Sequence, residues 1–278
     1  MSQIRPSDFH SYSQFLTCAH ALADVAALET IRHFRSSTAI EDKSAAHDYT
    51  GNQDGFDPVT AADRGAEQAI RRELASRFPE HGIHGEEFGL HNLQSRYRWI
   101  VDPIDGTAAF LMGWPMWGTL IALADGDTPI LGLLDQPFTR ERFWSDEAAA
   151  VARGPDGTEH RLMTRPCARL EDAVLSTTHP DFFRDAGDLE GFQRVKAAAR
   201  NTRYGGDCYA YAMLAAGFSD LVIETGLKSY DVAALIPIVE RAGGVMTTWR
   251  GEPALEGGNI IAAGDPRAHA AALALLVR

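Results

Sequence analysis

Asp102 and Asp105 stand in the stretch Trp99-Ile-Val-Asp-Pro-Ile-Asp-Gly-Thr107, behind an apolar run and ahead of a glycine and a hydroxyl. Two hard oxygen donors with no histidine or cysteine beside them suit magnesium or manganese better than zinc. Arg98 to Val101 read as a short buried strand, and Pro103 has no N–H to give to a central ladder. The strand is therefore expected to end at Asp102, leaving both carboxylates on an irregular turn where they can converge on a cation. Gly106 lets the backbone approach a ligand closely, and Thr107 offers a hydroxyl and an N–H where an anion is well received. Taken alone, the stretch is equally a strand followed by an ordinary Asp-Gly turn.

Three further acidic stretches change that balance: Phe56-Asp-Pro-Val-Thr-Ala-Ala-Asp63, Gly85-Glu-Glu-Phe-Gly89 and Lys228-Ser-Tyr-Asp-Val-Ala-Ala234. Each is set against glycine, proline or apolar residues rather than on a charged, solvated face. Thr60 can cap a helix that carries Asp63 in its first turn and continues through Glu67, Ile70 and Leu74 to about Phe78. A carboxylate there also simply favours the helix dipole. Ile83 to Glu87 reads as the end of a short strand that presents Glu86 and Glu87. Asp231 falls near the start of a helix over Tyr230–Ala242, where an N-cap is the alternative to a metal ligand. Asp207 either caps a helix beginning near Cys208 or faces a ligand, and Glu224 closes a strand over Asp220–Glu224. Lys43 lies in a polar loop over 41–56, as a surface lysine or as a cation within reach of an anion.

The Asp-Pro-Ile-Asp-Gly-Thr signature at 102–107, with the order and spacing of the other three stretches, resembles the inositol monophosphatase superfamily of magnesium-dependent, lithium-sensitive phosphatases. The resemblance runs from about residue 57 to 244. Within it, Trp117-Gly-Thr-Leu-Ile-Ala-Leu123, Thr164-Arg-Pro-Cys167, Tyr204-Gly-Gly-Asp-Cys-Tyr209 and Lys228-Ser-Tyr-Asp231 are similar to the histidinol-phosphatase branch, which serves histidine biosynthesis.

The resemblance implies a layered α/β fold, an αβαβα sandwich shared with fructose-1,6-bisphosphatase, and a homodimer. It implies hydrolysis of a phosphate monoester by a water activated between metal ions about 3.5–4 Å apart. Glu86, Asp102, Asp105 and the Ile104 carbonyl would ligate magnesium and Asp231 would complete the second site, with two or three ions bound and manganese as a substitute. Asp63, Glu86 and Thr107 would hold the water, and the Gly106 and Thr107 amides would meet the phosphate. Glu87 would stand behind Glu86, and Lys43 would reach toward the anion. L-histidinol phosphate carries an ammonium and an imidazole, so its pocket needs carboxylates beyond those on metal, and Asp207 and Glu224 are the candidates. Inositol 1-phosphate or another small sugar or nucleotide phosphate is the alternative substrate. Ala108 and Ala109 depart from the Thr-Asn pair of the inositol enzymes, which leaves contacts beyond the phosphate open.

Two rivals were weighed against this reading. Aspartyl-nucleophile phosphatases also carry two aspartates before Gly-Thr, but with one residue between them where Pro103 and Ile104 are two. A non-catalytic regulator retaining the fold is the other, and unpaired carboxylates converging in one place would be costly to keep without metal.

Composition fits a small-molecule enzyme. The 278 residues are 45% hydrophobic, enough for a substantial core in one domain with approximate halves at 1–155 and 156–278. The 26 basic and 38 acidic side chains give a net charge of −12, which disfavours nucleic acid as a partner. An acidic protein can still take a phosphate ester where bound cations invert the local sign. No run approaches the roughly 18 apolar residues of a membrane span, and the polar start has no signal-peptide pattern, so the cytoplasm is the expected location. Cys18, Cys167 and Cys208 read as reduced, buried thiols.

The positioning elements follow from periodicity. Apolar residues from Phe15 to Ile31 recur at helical spacing over Tyr12–Arg35, and His10, His20 and His33 on that helix read as packing or surface groups. Trp117–Ala124 and Ile130–Leu134 flank Asp125-Gly126-Asp127 as a hairpin. Phe138–Trp144 is expected as a further strand, Gly154–Gly157 as a turn between the halves, and Leu189–Arg200, Cys208–Gly217 and Ala268–Leu276 as helices. Strands are expected at Ala173–Thr177 and Asn259–Ala263, and their alternation with helices after Asp220 favours layered packing.

Overall fold

The computed structural model describes residues 6–36, 40–42 and 58–277. Helix α1 (Pro6–His33) is followed by a two-stranded ribbon, β1 (Ile40–Asp42) with β2 (Pro58–Thr60), and by α2 (Ala61–Arg77). Then come β3 (Gly82–Gly85), β4 (Gly89–His91), β5 (Tyr97–Asp105) and the short helix α3 (Thr107–Leu111). The meander β6 (Gly118–Asp125), β7 (Thr128–Gln136), β8 (Glu141–Ser145), β9 (Ala150–Arg153) and β10 (Glu159–Leu162) completes an eight-stranded sheet of order β10-β9-β8-β7-β6-β5-β3-β4. The rest of the chain builds a five-stranded sheet. Its elements are β11 (Val174–Thr177), α4 (Ala186–Ala198), β12 (Asn201–Tyr204), α5 (Asp207–Ala215), β13 (Leu221–Leu227), α6 (Ser229–Val232), α7 (Leu235–Arg241), β14 (Val245–Thr248), β15 (Gly258–Ala263) and α8 (Pro266–Leu276), with strand order β12-β11-β13-β15-β14.

The strands in the middle of these sheets are apolar on both faces, so each sheet must be covered twice. Along β5, Trp99 and Val101 face α1 and α2, where Phe15, Leu22, Ile70 and Leu74 meet them, while Ile100 between them faces the opposite layer. That middle layer holds α5 and α7, whose Tyr211, Leu214, Leu235 and Val239 lie between Leu120 and Leu134 of the first sheet and Val222 and Ile260 of the second. The far face of the second sheet, Leu175, Ile223 and Ile261, is closed by Phe192 and Val195 of α4 and Ala272 and Leu276 of α8. These layers are the expected αβαβα sandwich. Gly132 shows how closely they meet, since a Cβ there would lie 1.9 Å from the Ala234 carbonyl oxygen.

Four sequence expectations are corrected. β5 does not end at Asp102 but runs to Asp105, because its pairing with β6 slips between Asp102↔Leu120 and Asp105↔Gly118. Three steps along β5 match two along β6, a bulge that absorbs the missing N–H of Pro103. The strand expected from Phe138 starts only at Glu141, because the Gln136 side chain accepts the amides of Phe138 and Thr139 and holds them in a turn. The helix expected over Tyr230–Ala242 breaks into α6 and α7 at Ala233–Ala234, where Pro237 has no N–H for the Ala233 carbonyl. The Gly154–Gly157 turn joins β9 to β10 inside the first sheet, so the chain passes to the second sheet after Leu162 and not near 155.

The hairpin at Asp125–Asp127 forms as expected, and the three cysteines are buried free thiols. Among the described residues no helix is long and apolar enough to cross a membrane.

Candidate active site

The bulge in β5 is what makes a site. Side chains alternate along a strand, so residues three apart face opposite ways, and one extra residue cancels that inversion. Asp102 and Asp105 therefore turn to the same place, where Asp231 of α6 meets them. One carboxylate oxygen from each of the three lies within 4.8 Å of the others.

Each carboxylate is fixed by backbone amides. Asp102, 2% exposed, accepts the Ile104 N–H at 3.0 Å. Asp105 accepts the Cys208 N–H at 2.7 Å, at the start of α5. Asp231, in the first turn of α6, accepts the N–H of the N-cap residue Lys228 at 2.6 Å, so it serves the helix start and the cluster together. Asp207 does not cap α5: it is the first residue of that helix, at φ 43°, after the N-cap Gly206, and makes no capping hydrogen bond. Gly106 is required at the head of α3, at φ 84°, since a Cβ would lie 2.7 Å from the Met116 carbonyl oxygen and 3.2 Å from Asp207. Thr107 donates its hydroxyl to the Ile104 carbonyl at 3.1 Å, which leaves the hydroxyl oxygen as an acceptor.

The electrostatics are those of anions gathered out of water. Burial raises Asp102 well above the ordinary carboxylate range, and Glu86, Asp105 and Asp231 add to the effect. Burial also raises Asp105, against the Cys208 hydrogen bond. Asp231 rises to about 7 through burial and the Asp105 charge, with the Lys228 amide opposing. Asp207 rises to about 8 through burial, Asp105 and Glu224. Glu224 rises to about 7 through burial, although the Thr178 amide and hydroxyl bind it at 2.7 and 2.9 Å. Asp105, Asp207, Glu224 and Asp231 line one cleft with Thr178, Phe182, Cys208 and Leu227.

Of the remaining expected residues, Glu86 is tied directly to this centre. Glu86 follows β3 and is hydrogen-bonded to Asp102. Asp63 is buried, 1% exposed, in the first turn of α2. The Glu87 carboxylate is buried 3.9 Å from Arg64. Lys43 lies outside the described residues.

Glu67 escaped the sequence reading as more than a helix residue. Wholly buried on α2, it accepts the Glu87 and Phe88 amides at 2.7 and 3.2 Å and Arg71 Nε at 2.7 Å, and so shapes the turn that presents Glu86. A Cβ on Gly85 would lie 2.0 Å from its carboxylate. The available signal was a glutamate on the apolar stripe Ala66, Ile70, Leu74, four residues after Asp63. Glu67→Gln replaces an acceptor with a donor facing donors, which costs about 1–3 kcal/mol in stability. It is also expected to weaken magnesium binding about 10- to 100-fold by displacing Glu86. Melting and calorimetric magnesium titration check both, and unchanged magnesium affinity would show that the Glu67 turn does not position Glu86.

The inositol monophosphatase family profile matches residues 11–278. The chain belongs to this family. It is 36% identical over 264 residues to a histidinol-phosphatase of Streptomyces coelicolor, covering 93% of this chain and 95% of that one. It is 40% identical to a chloroplastic bifunctional phosphatase of Arabidopsis thaliana over 94% of this chain and 74% of the relative. Among solved structures, an inositol monophosphatase from Zymomonas mobilis superposes with TM-score 0.81 at 40% identity, covering 95% of this chain and 98% of that one. As a member of a family of phosphatases, the chain has the fold and the acidic cluster for phosphoric monoester hydrolysis.

The donor set fits magnesium. All three clustered groups are carboxylates, Asp102 buried and Asp105 and Asp231 half-buried, and mutually repelling, which a hard divalent cation relieves and which imidazole or thiolate sites for softer metals do not resemble.

Proposed function

We propose that this member of the inositol monophosphatase family is a magnesium-dependent histidinol-phosphate phosphatase, converting L-histidinol phosphate and water to L-histidinol and phosphate. The observation that carries the proposal is the pair Asp207 and Glu224, which line the cleft beside the Asp102, Asp105 and Asp231 cluster. Asp102, Asp105 and Asp231, with Glu86 and the Ile104 carbonyl, would hold magnesium, which when bound supplies the positive charge that neutralises phosphate and acidifies water.

The chain's own groups do the rest. The Thr107 hydroxyl gives its hydrogen to the Ile104 carbonyl, so its oxygen can accept a hydrogen bond from an attacking water and fix its direction. Glu86 and Asp63 would be further acceptors for that water. The Gly106 and Thr107 amides donate to the phosphate. Glu224, pinned by Thr177 and Thr178, and Asp207 face the ammonium and imidazole of the alcohol, whose positive charge, with that of bound magnesium, favours their ionised forms.

The similarity to histidinol-phosphatases of Streptomyces coelicolor, at 36% identity, and Mycobacterium tuberculosis, at 35%, supports this choice of substrate. Inositol 1-phosphate is the competing substrate, because the similar Zymomonas mobilis structure is of an inositol monophosphatase and a polyol can also donate to Glu224. The test is kcat/KM for L-histidinol phosphate, myo-inositol 1-phosphate, fructose 1,6-bisphosphate and 3′-phosphoadenosine 5′-phosphate under one magnesium condition. L-histidinol phosphate is expected to lead by at least about tenfold, or ~1.4 kcal/mol of transition-state discrimination. A tenfold lead for the inositol ester would overturn the substrate and leave the phosphatase chemistry standing.

A further inference from the structure

Phe182 is 50% exposed and lines the same cleft as Asp105, Asp207, Glu224 and Asp231. We propose that Phe182 is a specificity-determining residue, its ring packing against a flat cationic group on the substrate's alcohol portion in the cleft it shares with Asp207 and Glu224. The inference rests on the histidinol-phosphate reading and names the ring that would select that substrate.

The local build explains why an apolar ring is held outward. Phe183, the next residue, is 3% exposed and stacks on Phe192 of α4 with ring centres 4.3 Å apart and an interplanar angle of 11°. Pinning Phe183 into the core turns its neighbour the other way. The turn between is stiff: Pro180 fixes its own φ, the Phe182 N–H donates to the His179 carbonyl at 3.2 Å, and the Asp181 N–H donates to His179 Nδ1 at 3.2 Å. Two residues before Pro180, Thr178 gives both its N–H and its hydroxyl to Glu224. One short segment therefore fixes a buried carboxylate and an open aromatic ring on a common cleft.

The chemistry of that pairing is selective. A cation over the face of a phenyl ring is attracted by the ring quadrupole, and carboxylates lining the same cleft attract the same charge. A flat heteroaromatic cation also presents a face for stacking. A neutral polyol or cycloalkyl group can use the carboxylates through its hydroxyls, or the ring through its C–H surface, and gains nothing from the charge.

The test compares L-histidinol phosphate with cyclohexyl phosphate, which is neutral outside its phosphate, in the magnesium-loaded full chain. Phe182→Ala is expected to lower kcat/KM for L-histidinol phosphate about tenfold, mainly by raising KM, and to leave cyclohexyl phosphate within about twofold. Phe182→Leu, which keeps apolar bulk without a π face, is expected to lose nearly as much, and Phe182→Trp to retain the preference. Equal losses on both esters, or wild-type discrimination in Phe182→Ala or Phe182→Leu, would overturn the role of the ring while leaving the substrate reading intact. A wild-type protein without preference for L-histidinol phosphate over cyclohexyl phosphate would overturn both.

Discussion

Asp105→Asn is expected to lower kcat/KM at least ~10²-fold, a loss of about 3 kcal/mol of transition-state stabilisation, while raising the melting temperature of the metal-free protein. The two effects have opposite signs because one carboxylate serves two ends. With magnesium bound, Asp105 is one of three converging donors, and an amide oxygen without formal charge is a poor replacement. Without magnesium, it is a half-buried anion beside Asp231 and Asp207, and raises both of their pKa values. The asparagine oxygen can still accept the Cys208 N–H, so the contact to α5 survives. Kinetics with excess magnesium and melting in chelator read the two effects separately. Full activity in the variant, or a lower melting temperature of its metal-free form, would contradict the placement of Asp105.

The same crowding sets a pH dependence for the metal-free protein. An ordinary carboxyl in the unfolded chain titrates near 4, whereas in the fold Asp231 and Glu224 are raised to about 7 and Asp207 to about 8. Between those limits the folded state holds protons that the unfolded chain has released. Stability is therefore greatest below about pH 4 for these groups, falls as pH rises through their folded values, and levels off above them. His20 acts oppositely. Burial and the neighbouring Arg142 lower it to about 4, so its contribution is complete above 6.5 and is lost as pH falls from there toward 4. Melting in chelator from pH 6.5 to 8.5 isolates the acidic groups and is expected to fall by at least about 1 kcal/mol, or ~2–4 °C for a chain of this size class. Saturating magnesium is expected to remove most of that fall, since a bound cation favours the ionised carboxylates. A flat profile in chelator would show that the cluster does not carry its protons into the neutral range.

The sequence exposed the chemistry more readily than the geometry that makes it. Asp102, Asp105 and Asp231 could be picked out because carboxylates beside proline, glycine and apolar residues have no reason to be there as solvated charge, and the structure brings the three together. Their convergence was expected from a turn after a finished strand. It comes instead from a bulge inside β5, a register property that depends on β6 and cannot be read from β5 alone. Glu67 was hidden for a related reason, since beyond its helix neighbour Arg71 its partners Glu87 and Phe88 meet it only once β3 lies beside α2. The break between α6 and α7 was legible in principle, because Pro237 states it in the sequence. The layers were legible from the alternation of strands and helices after Asp220 and from the family resemblance, but the passage between sheets was misplaced because a turn sequence such as Gly154-Pro-Asp-Gly157 looks the same within a sheet as between two.

The central claim is that the Asp102, Asp105 and Asp231 cluster works only as a cation site for phosphate ester hydrolysis. Phosphate release from L-histidinol phosphate, followed as magnesium is titrated into chelator-treated protein, tests it most directly. No turnover above the uncatalysed background is expected in chelator, and magnesium is expected to give a saturable rise that Asp105→Asn abolishes. Undiminished turnover in excess chelator would contradict it.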